Sequence, residues 1–325
     1  MSPGHRPGRL PADVPGDLPA DLRLDGVLRA AADRLAAAGV GVARGDAERL
    51  AAHVLGLGPG ELAAAAVTGR ALAAADARRL DALVTQRAAR VPLQHLTGRA
   101  PFRTIELDVG PGVFVPRPET EVVAELAVAE LAVAELAVAE LAVAEHPVVV
   151  DLCTGSGAIA LSIAVEVPAA RVVALELDRD AHAWARRNVE RVAPGRVDLR
   201  QGDVAGADGG VLADLAGAVD VVVANPPYIP SWAVPLDPEV AEHDPQVALY
   251  GGGDDGLVVP AAVVRTAAGL LRAGGLLVME HGDVQGAAAR ALATTAGGWL
   301  DVTTAKDLTG RDRALVARRA QRDRR

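Results

Sequence analysis

The sequence predicts an α/β protein with a helical bundle on its N-terminal side, from three observations. Apolar residues recur at helical spacing through residues 22–91. Residues 148–160 have the pattern of a buried strand, a glycine turn and a helix start, and Val221–Ala224 has that of a second buried strand, ended by two prolines. Strands that alternate with helices in this way build a sheet covered by helices.

Composition excludes several classes of protein. The net charge is −9 and aromatic residues make up 2% of the 325 residues, which disfavours a basic or base-stacking surface for nucleic acid. The single cysteine, Cys153, cannot form an internal disulfide, and no apolar run is long enough to span a bilayer. Without a signal-peptide pattern, we expect a cytoplasmic protein with no membrane contact and no direct nucleic acid binding.

The chain divides into segments of different character. Residues 1–21 are rich in proline and are expected to form a disordered leader, and residues 22–91 a bundle of four or five short helices. Residues 92–121 are expected to form a β-hairpin hinge, in which 102–107 and 113–115 flank a turn at 108–112. The sheet domain then covers residues 122–319, and residues 320–325 form a basic tail.

A five-residue repeat, Ala-Glu-Leu-Ala-Val, occupies residues 124–145. Alanine, leucine and glutamate favour a helix. At about 100° per residue, successive leucines of the repeat spread around that helix, so no single surface buries all of them. The pattern predicts a low-complexity connecting helix and neither a coiled coil nor a membrane segment.

The glycine turn after the first strand predicts a nucleoside site. Gly155 and Gly157 let a ligand approach the backbone at a helix N-terminus. Their spacing also fits the G-x-G-x-x-A pattern of dinucleotide enzymes, so a nicotinamide cofactor stays an alternative. Asp151 at the strand end would repel a pyrophosphate and attract the cationic amino group of S-adenosylmethionine. The residues expected to bind the cofactor at this turn are Asp151, Leu152, Cys153, Thr154, Gly155, Ser156 and Gly157.

Two later strand ends complete the predicted cofactor site. Glu176 follows Val172–Leu175 and is placed to accept hydrogen bonds from ribose hydroxyls. Asp203 is expected near the adenine edge, with Val204 packed on the ring. The seven histidines show no zinc-like grouping, so no metal is expected.

The second strand ends in Asn225-Pro226-Pro227-Tyr228, which predicts the acceptor site. The side-chain oxygen of Asn225 and the carbonyl of Pro226 are two acceptors side by side, which suits a planar NH2 group. Tyr228 would cover the flat face of that group and exclude water. We therefore predict Asn225, Pro226 and Tyr228 as catalytic residues, Pro227 as a further substrate contact and Asn225 as a neighbour of the cofactor.

These motifs together resemble the peptide chain release factor glutamine methyltransferases, the HemK-like family. The resemblance runs from the helical bundle to about Arg319 and includes three further motifs, at 94–98, 116–121 and 280–282. The sequence departs from the family pattern in three places: Cys153 stands where a glycine is usual, the pentapeptide repeat lengthens the connection, and the leader is extra.

The resemblance implies a class I S-adenosylmethionine-dependent methyltransferase with a Rossmann-like seven-stranded sheet. It implies as substrate the glutamine of the Gly-Gly-Gln motif of class I release factors, which the bundle helps to dock. Three alternatives stay open: a ribosomal protein glutamine methyltransferase, an adenine-N6 nucleic acid methyltransferase, and a binding module without turnover.

Overall fold

The structure is a computed structural model that describes residues 23–141 and 146–321, with the backbone alone for 133–141. The predicted leader, the last residues of the repeat and the end of the basic tail lie outside these residues. The chain separates into two compact units after Thr97. The first unit therefore continues six residues beyond the boundary expected at residue 91.

The first unit is a helical bundle within its described residues. Its helices are α1 Leu24–Ala37, α2 Ala43–Leu55, α3 Pro59–Val67, α4 Ala74–Ala88 and α5 Leu93–Thr97. Leu24, Leu28 and Leu35 lie on the buried side of α1, as their helical spacing predicts. A buried ion pair joins α2 to α4, since Arg87 Nε donates to Asp46 Oδ2 at 2.8 Å.

The second unit contains the predicted seven-stranded sheet. Its described strands are β1 Arg99–Phe102, β2 Ile105–Asp108, β3 Val148–Leu152, β4 Arg171–Glu176, β5 Val197–Gln201, β6 Val219–Ala224, β7 Leu271–Glu280, β8 Trp299–Lys306 and β9 Asp312–Arg319. The order in the sheet is β5-β4-β3-β6-β7-β9-β8. Strands β3 to β7 are parallel, and β9 is antiparallel to both β7 and β8. This confirms the predicted fold class.

Helices cover both faces of this sheet. They are α6 Glu121–Leu141, α7 Ala158–Glu166, α8 Arg179–Val192, α9 Pro238–His243, α10 Gln246–Leu249, α11 Val258–Leu270 and α12 Gly286–Ala296. Successive residues of β6 point to opposite faces: Val221 and Val223 join a core that includes α6 and α7, whereas Val222 joins one that includes α11 and α12. Because both faces are buried, the central parallel strands β3 and β6 are mostly apolar.

The repeat helix α6 buries one face in its first turns. Val123, Ala127 and Leu131 are fully buried and four residues apart, whereas Leu126 is only half-buried. The two leucines thus differ in burial, as the 100° rotation per residue predicts. Glu130 anchors the helix to β9 by accepting two 2.8 Å hydrogen bonds from Arg318.

The hairpin expected between 102 and 115 was placed wrongly. β1 and β2 pair through Phe102↔Ile105, so the turn is Arg103-Thr104. Arg103 adopts a left-handed φ of 49°, held by hydrogen bonds to Glu166 at 2.8 and 2.7 Å. The expected turn at 108–112 instead packs against α8. A Cβ at Gly110 would lie 2.7 Å from Trp184 Cζ2, so this glycine serves close packing.

Candidate active site

A cavity of about 440 Å³ opens at the carboxyl ends of β3, β4, β5 and β6. In parallel sheets this edge, at the point where strand order reverses, is where ligands bind. The structure brings most predicted site residues to its wall: Cys153, Thr154, Gly155, Ser156, Glu176, Asp203, Val204, Asn225, Pro226, Pro227 and Tyr228. Asp151, Leu152 and Gly157 are not on the wall.

Asp151 lies beneath the glycine turn. Its Oδ2 accepts a 2.6 Å hydrogen bond from the Thr154 hydroxyl and a 3.1 Å bond from Ala160 N. The carboxyl group therefore fastens the turn to the N-terminus of α7, where backbone N–H groups lack helical partners. Complete burial raises its pKa to about 7. Asp151 thus shapes the turn through Oδ2, whereas Oδ1 lacks a hydrogen-bond partner among the described residues, and its contact with the cofactor stays a prediction.

The glycine turn depends on left-handed backbone conformations. Cys153 has φ 62° and Gly155 has φ 59°, with open space where a Cβ of Gly155 would be. Left-handed conformations favour glycine, which gives a physical reason for the glycine expected at position 153. Gly157 begins α7 with φ 86°, and a Cβ there would lie 3.1 Å from Leu161.

Glu176 joins two strand ends at the cavity wall. Its Oε2 accepts a 2.7 Å hydrogen bond from Gly155 N, and its Oε1 accepts a 2.9 Å bond from Asp178 N. Burial raises the pKa of the carboxyl group, and these backbone donors act in the opposite direction. Each oxygen has a second lone pair with which it can accept a hydrogen bond from a hydroxyl group.

Asp203 and Val204 form the far end of the wall. Asp203 is exposed, and its Oδ1 accepts a 2.8 Å hydrogen bond from Ala205 N. Val204 is buried, and its carbonyl accepts a 2.6 Å bond from Thr266 Oγ1. A polar side chain therefore lies at the rim of the cavity beside a buried apolar one.

Asn225 has a partner that the sequence did not reveal. Its Nδ2 donates to Thr120 Oγ1 at 3.1 Å, and Thr120 is buried on the wall of the same cavity. This hydrogen bond fixes the orientation of the amide, with the nitrogen held by Thr120 and Oδ1 at the opposite end. Thr120 belongs to the motif at 116–121, which was part of the family resemblance but was not predicted to form part of the site.

Tyr228 contacts a buried carboxyl group at the end of β7. Its hydroxyl donates to Glu280 Oε1 at 3.3 Å. Burial raises the pKa of Glu280 to about 7, while the Thr120 hydroxyl and the charge of Arg313 lower it. Burial and the nearby Glu280 also raise the pKa of Tyr228, so the phenol stays protonated. Glu280 was part of the family resemblance but was not predicted as a site residue.

Two cavity walls are tied together by an ion pair. Arg117 Nη2 donates to Asp244 Oδ2 at 2.6 Å, and the Asp244 side chain has no exposed surface. The Arg117 guanidinium also lies 5.2 Å from the centre of the Phe114 ring. Phe114 and Arg117 line the cavity, and neither was predicted as a site residue.

The segment of residues 244–256 contributes to the cavity wall with its first half only. Pro245, Val247 and Leu249 line the cavity. The glycine segment 251–256 lies behind the wall, because a Cβ at Gly256 would be 2.2 Å from the carbonyl oxygen of Tyr228. This segment therefore supports the acceptor motif from behind.

The fold and the site define a class I methyltransferase. Residues 132–236 match the family model described as methyltransferase small domain, and residues 26–98 match the PrmC N-terminal domain. The chain is 50% identical to a release factor glutamine methyltransferase of Streptomyces coelicolor, over 73% of this chain and 79% of that protein. It is 46% identical to the protein of that name from Mycolicibacterium smegmatis, over 74% and 79%.

The chain belongs to the release factor glutamine methyltransferase family and is an enzyme. A more distant relative, from Streptomyces pristinaespiralis, is named 4-amino-L-phenylalanine/4-methylamino-L-phenylalanine methyltransferase and is 41% identical over 66% of this chain and 70% of that protein. Across residues 23–141 and 146–321, no single helix is long and apolar enough to cross a membrane. Helices α2 and α3, bent by 97° where they meet, pass that test of length and composition only as a pair.

Proposed function

We propose that this protein transfers the methyl group of S-adenosylmethionine to the side-chain amide nitrogen of the glutamine in the Gly-Gly-Gln motif of class I peptide chain release factors. The observation that carries the proposal is the orientation of Asn225. Because Thr120 holds Nδ2, the end of the amide that remains for a ligand in the cavity is the acceptor Oδ1. An acceptor at that position selects a substrate that presents N–H groups.

The residues of the wall fit S-adenosylmethionine. The cavity volume lies within the range of small-molecule sites, about 300–1,000 Å³. Glu176 has lone pairs for ribose hydroxyls, Val204 offers an apolar surface to a purine, and Gly155 has open space in place of a side chain. The buried Asp151 adds negative charge below the turn when it is ionised, which favours a cationic ligand.

The protein's part in the reaction is to hold and orient the acceptor nitrogen. S-adenosylmethionine, when bound, supplies an electrophilic methyl group on a positively charged sulfur. Asn225 Oδ1 and the Pro226 carbonyl accept the two hydrogens of the glutamine NH2 group. This turns the nitrogen lone pair towards the donor and leaves the nitrogen more electron-rich. Tyr228 and Pro227 cover the amide and keep water away.

The proton balance requires no protein base with a high pKa. The nitrogen forms a bond to the methyl carbon, and the sulfur retains the electron pair of the broken bond. The N-methylated amide then carries one proton too many and is strongly acidic. It therefore loses that proton to water as the methylated product leaves the cavity.

The test compares the wild-type protein with Asn225→Ala. We expect the variant to bind S-adenosylmethionine with unchanged affinity by calorimetry. Its turnover on a purified release factor should fall by about 10²- to 10³-fold, the usual effect of removing one preorganised hydrogen-bonding group. The addition of one methyl group to the Gly-Gly-Gln peptide is read by mass spectrometry. Unchanged turnover would refute the role of Asn225.

Substrate identity is tested in the same assay. A release factor, the same factor with its Gly-Gly-Gln glutamine replaced, a ribosomal protein and an adenine-containing DNA are offered in parallel. The proposal requires methyl transfer to the first substrate only. Transfer to the ribosomal protein or to DNA would favour the corresponding alternative, and no transfer to any of them would favour a binding module.

A further inference from the structure

Exposed apolar side chains are concentrated just after the acceptor motif. Trp232, Val234 and Leu236 are exposed by 74, 75 and 101%. They alternate with Ala233 and Pro235, which are half-buried, so one side of the chain faces solvent with large apolar groups. Single exposed apolar residues are ordinary on protein surfaces, whereas a contiguous set marks a contact surface. We call residues 230–237 the rim segment.

The rim segment is held in place while its apolar side chains face water. Trp232 Nε1 donates to the carbonyl of Asp254 at 2.9 Å, and Ala233 N donates to the carbonyl of Pro230 at 3.0 Å. Asp237 ends the segment by capping α9, since its Oδ1 accepts a 3.2 Å hydrogen bond from Glu239 N. These bonds fix the backbone, so the exposure of Leu236 does not reflect a lack of local structure.

The rim segment is continuous with the acceptor side of the cavity. Tyr228 and Ile229, immediately before it, line the cavity, and so does Val247, which is itself exposed by 46%. A glutamine whose amide reaches Asn225 has its own backbone at the cavity mouth. In extended form, three residues on each side of the glutamine reach roughly 10 Å in each direction, or roughly 20 Å in total. Those flanking residues therefore come within reach of the rim segment.

The sequence around the rim segment is acidic, and Arg117, whose charge acts on Asp237, is already paired with Asp244. The sequence has no lysine or arginine between Arg200 and Arg265. Exposed carboxylates lie on the rim segment and near it in sequence, at Asp237, Glu242 and Asp254. A partner that complements this surface combines apolar side chains with positive charge.

We propose that the rim segment is the docking surface for the polypeptide that flanks the methylated glutamine, and that this polypeptide is apolar with lysine or arginine beside it. The inference rests on the proposed function and adds to it the region of the enzyme that recognises substrate outside the cavity. The rim segment acts on affinity for a whole protein substrate. It does not act on the chemistry at Asn225.

The experiment uses a double variant, Val234→Ser with Leu236→Ser, in the full-length protein. These side chains form none of the hydrogen bonds that hold the rim segment. The matched control is Val165→Ser with Leu300→Ser, at exposed positions near the end of α7 and on the edge strand β8. Both are compared with wild type on a full-length release factor and on a short peptide limited to Gly-Gly-Gln.

The expected result is a selective loss. For the rim variant, kcat/KM on the full-length factor falls about tenfold through KM, as for truncation of interface side chains, while the short peptide and cofactor affinity are unaffected. The control variant behaves as wild type. Equal kcat/KM of the rim variant and wild type on the full-length factor, or an equal loss on both substrates, overturns the docking surface. Wild type without activity on either substrate overturns the proposed function itself.

Ionic strength tests the charge of the partner. In wild type, KM for the full-length factor should rise with added salt, because salt screens attraction between exposed charges. Glu242→Gln with Asp254→Asn should weaken this dependence. A salt dependence identical in this variant and wild type overturns the basic character assigned to the partner.

Discussion

Thr120→Val is the sharpest test of how the acceptor site is built. Valine has nearly the shape of threonine but lacks the hydroxyl group that accepts the 3.1 Å hydrogen bond from Asn225 Nδ2. Because Thr120 is 3% exposed, no water replaces the lost acceptor at low cost. The amide of Asn225 then loses the contact that fixes its orientation and can present its NH2 group to the substrate, donor against donor.

The expected magnitude follows from the burial of this bond. An unsatisfied buried donor costs about 1–3 kcal/mol. If that free energy is lost from the transition state, kcat falls by about 5- to 150-fold. Cofactor affinity should stay within about twofold, because Thr120 contacts Asn225 and not the glycine turn. Thr120→Ser keeps the hydroxyl group and should restore most of the activity.

The assay is single-turnover methyl transfer at saturating release factor and cofactor. The concentration of folded enzyme is taken from the cofactor-binding titration, which separates a loss of chemistry from a loss of stability. Wild-type kcat in the valine variant would show that Thr120 does not set the orientation of Asn225. An equal loss in the serine variant would point to packing of the methyl group as the cause.

Two further predictions concern stability. Glu280 ionises near pH 7 when folded and near 4.5 when unfolded, so its contribution to the free energy of unfolding falls as pH rises from about 4.5 to 7. Glu280→Gln removes this dependence. In urea denaturation, the free energy of unfolding of the variant relative to that of wild type should therefore increase by about 3 kcal/mol between pH 4.5 and 8. A difference in free energy of unfolding that does not change with pH would contradict the burial of an ionisable carboxyl group. Gly256→Ala should lower both the free energy of unfolding and kcat, because its Cβ would meet the Tyr228 carbonyl oxygen at 2.2 Å. Gly217 has a similar φ but open space around it, so Gly217→Ala should lower the free energy of unfolding by only about 1–2 kcal/mol and leave kcat unchanged. Equal effects of the two alanines would mean that backbone strain, and not the contact with Tyr228, decides the outcome.

The strands of the sheet were predictable because their signal is local. Val148–Leu152 and Val219–Ala224 are short, mostly apolar runs, and burial on both faces of the sheet favours such a composition. The hairpin turn was not predictable in this way. Arg103 has a left-handed backbone because Glu166, 63 residues away, binds its guanidinium group. The Gly-Pro-Gly sequence at 110–112, which suggested the hairpin turn, instead allows close packing.

The residues of the site also differ in whether their positions could be predicted from the sequence. Parallel strands place their carboxyl ends at one edge, so the sequence alone could bring Gly155, Glu176 and Asn225 together. Thr120 and Asn225 are 105 residues apart, and no spacing encodes their hydrogen bond. Asp151 was assigned to the ligand because it ends a strand, but its Oδ2 has protein partners in Thr154 and Ala160.

Strand order places the proposed donor and acceptor sites next to each other at Asn225. β3 lies between β4 and β6, so the chain turns to opposite sides of β3 at this point. The glycine turn after β3 and Glu176 after β4 form one half of the cavity. Asn225 after β6 belongs to the other half, where Tyr228 contacts Glu280 at the end of β7. Methyl transfer across the β3–β6 boundary therefore needs no movement of the sheet, and loops after β6 can change to suit another acceptor while the cofactor half is kept.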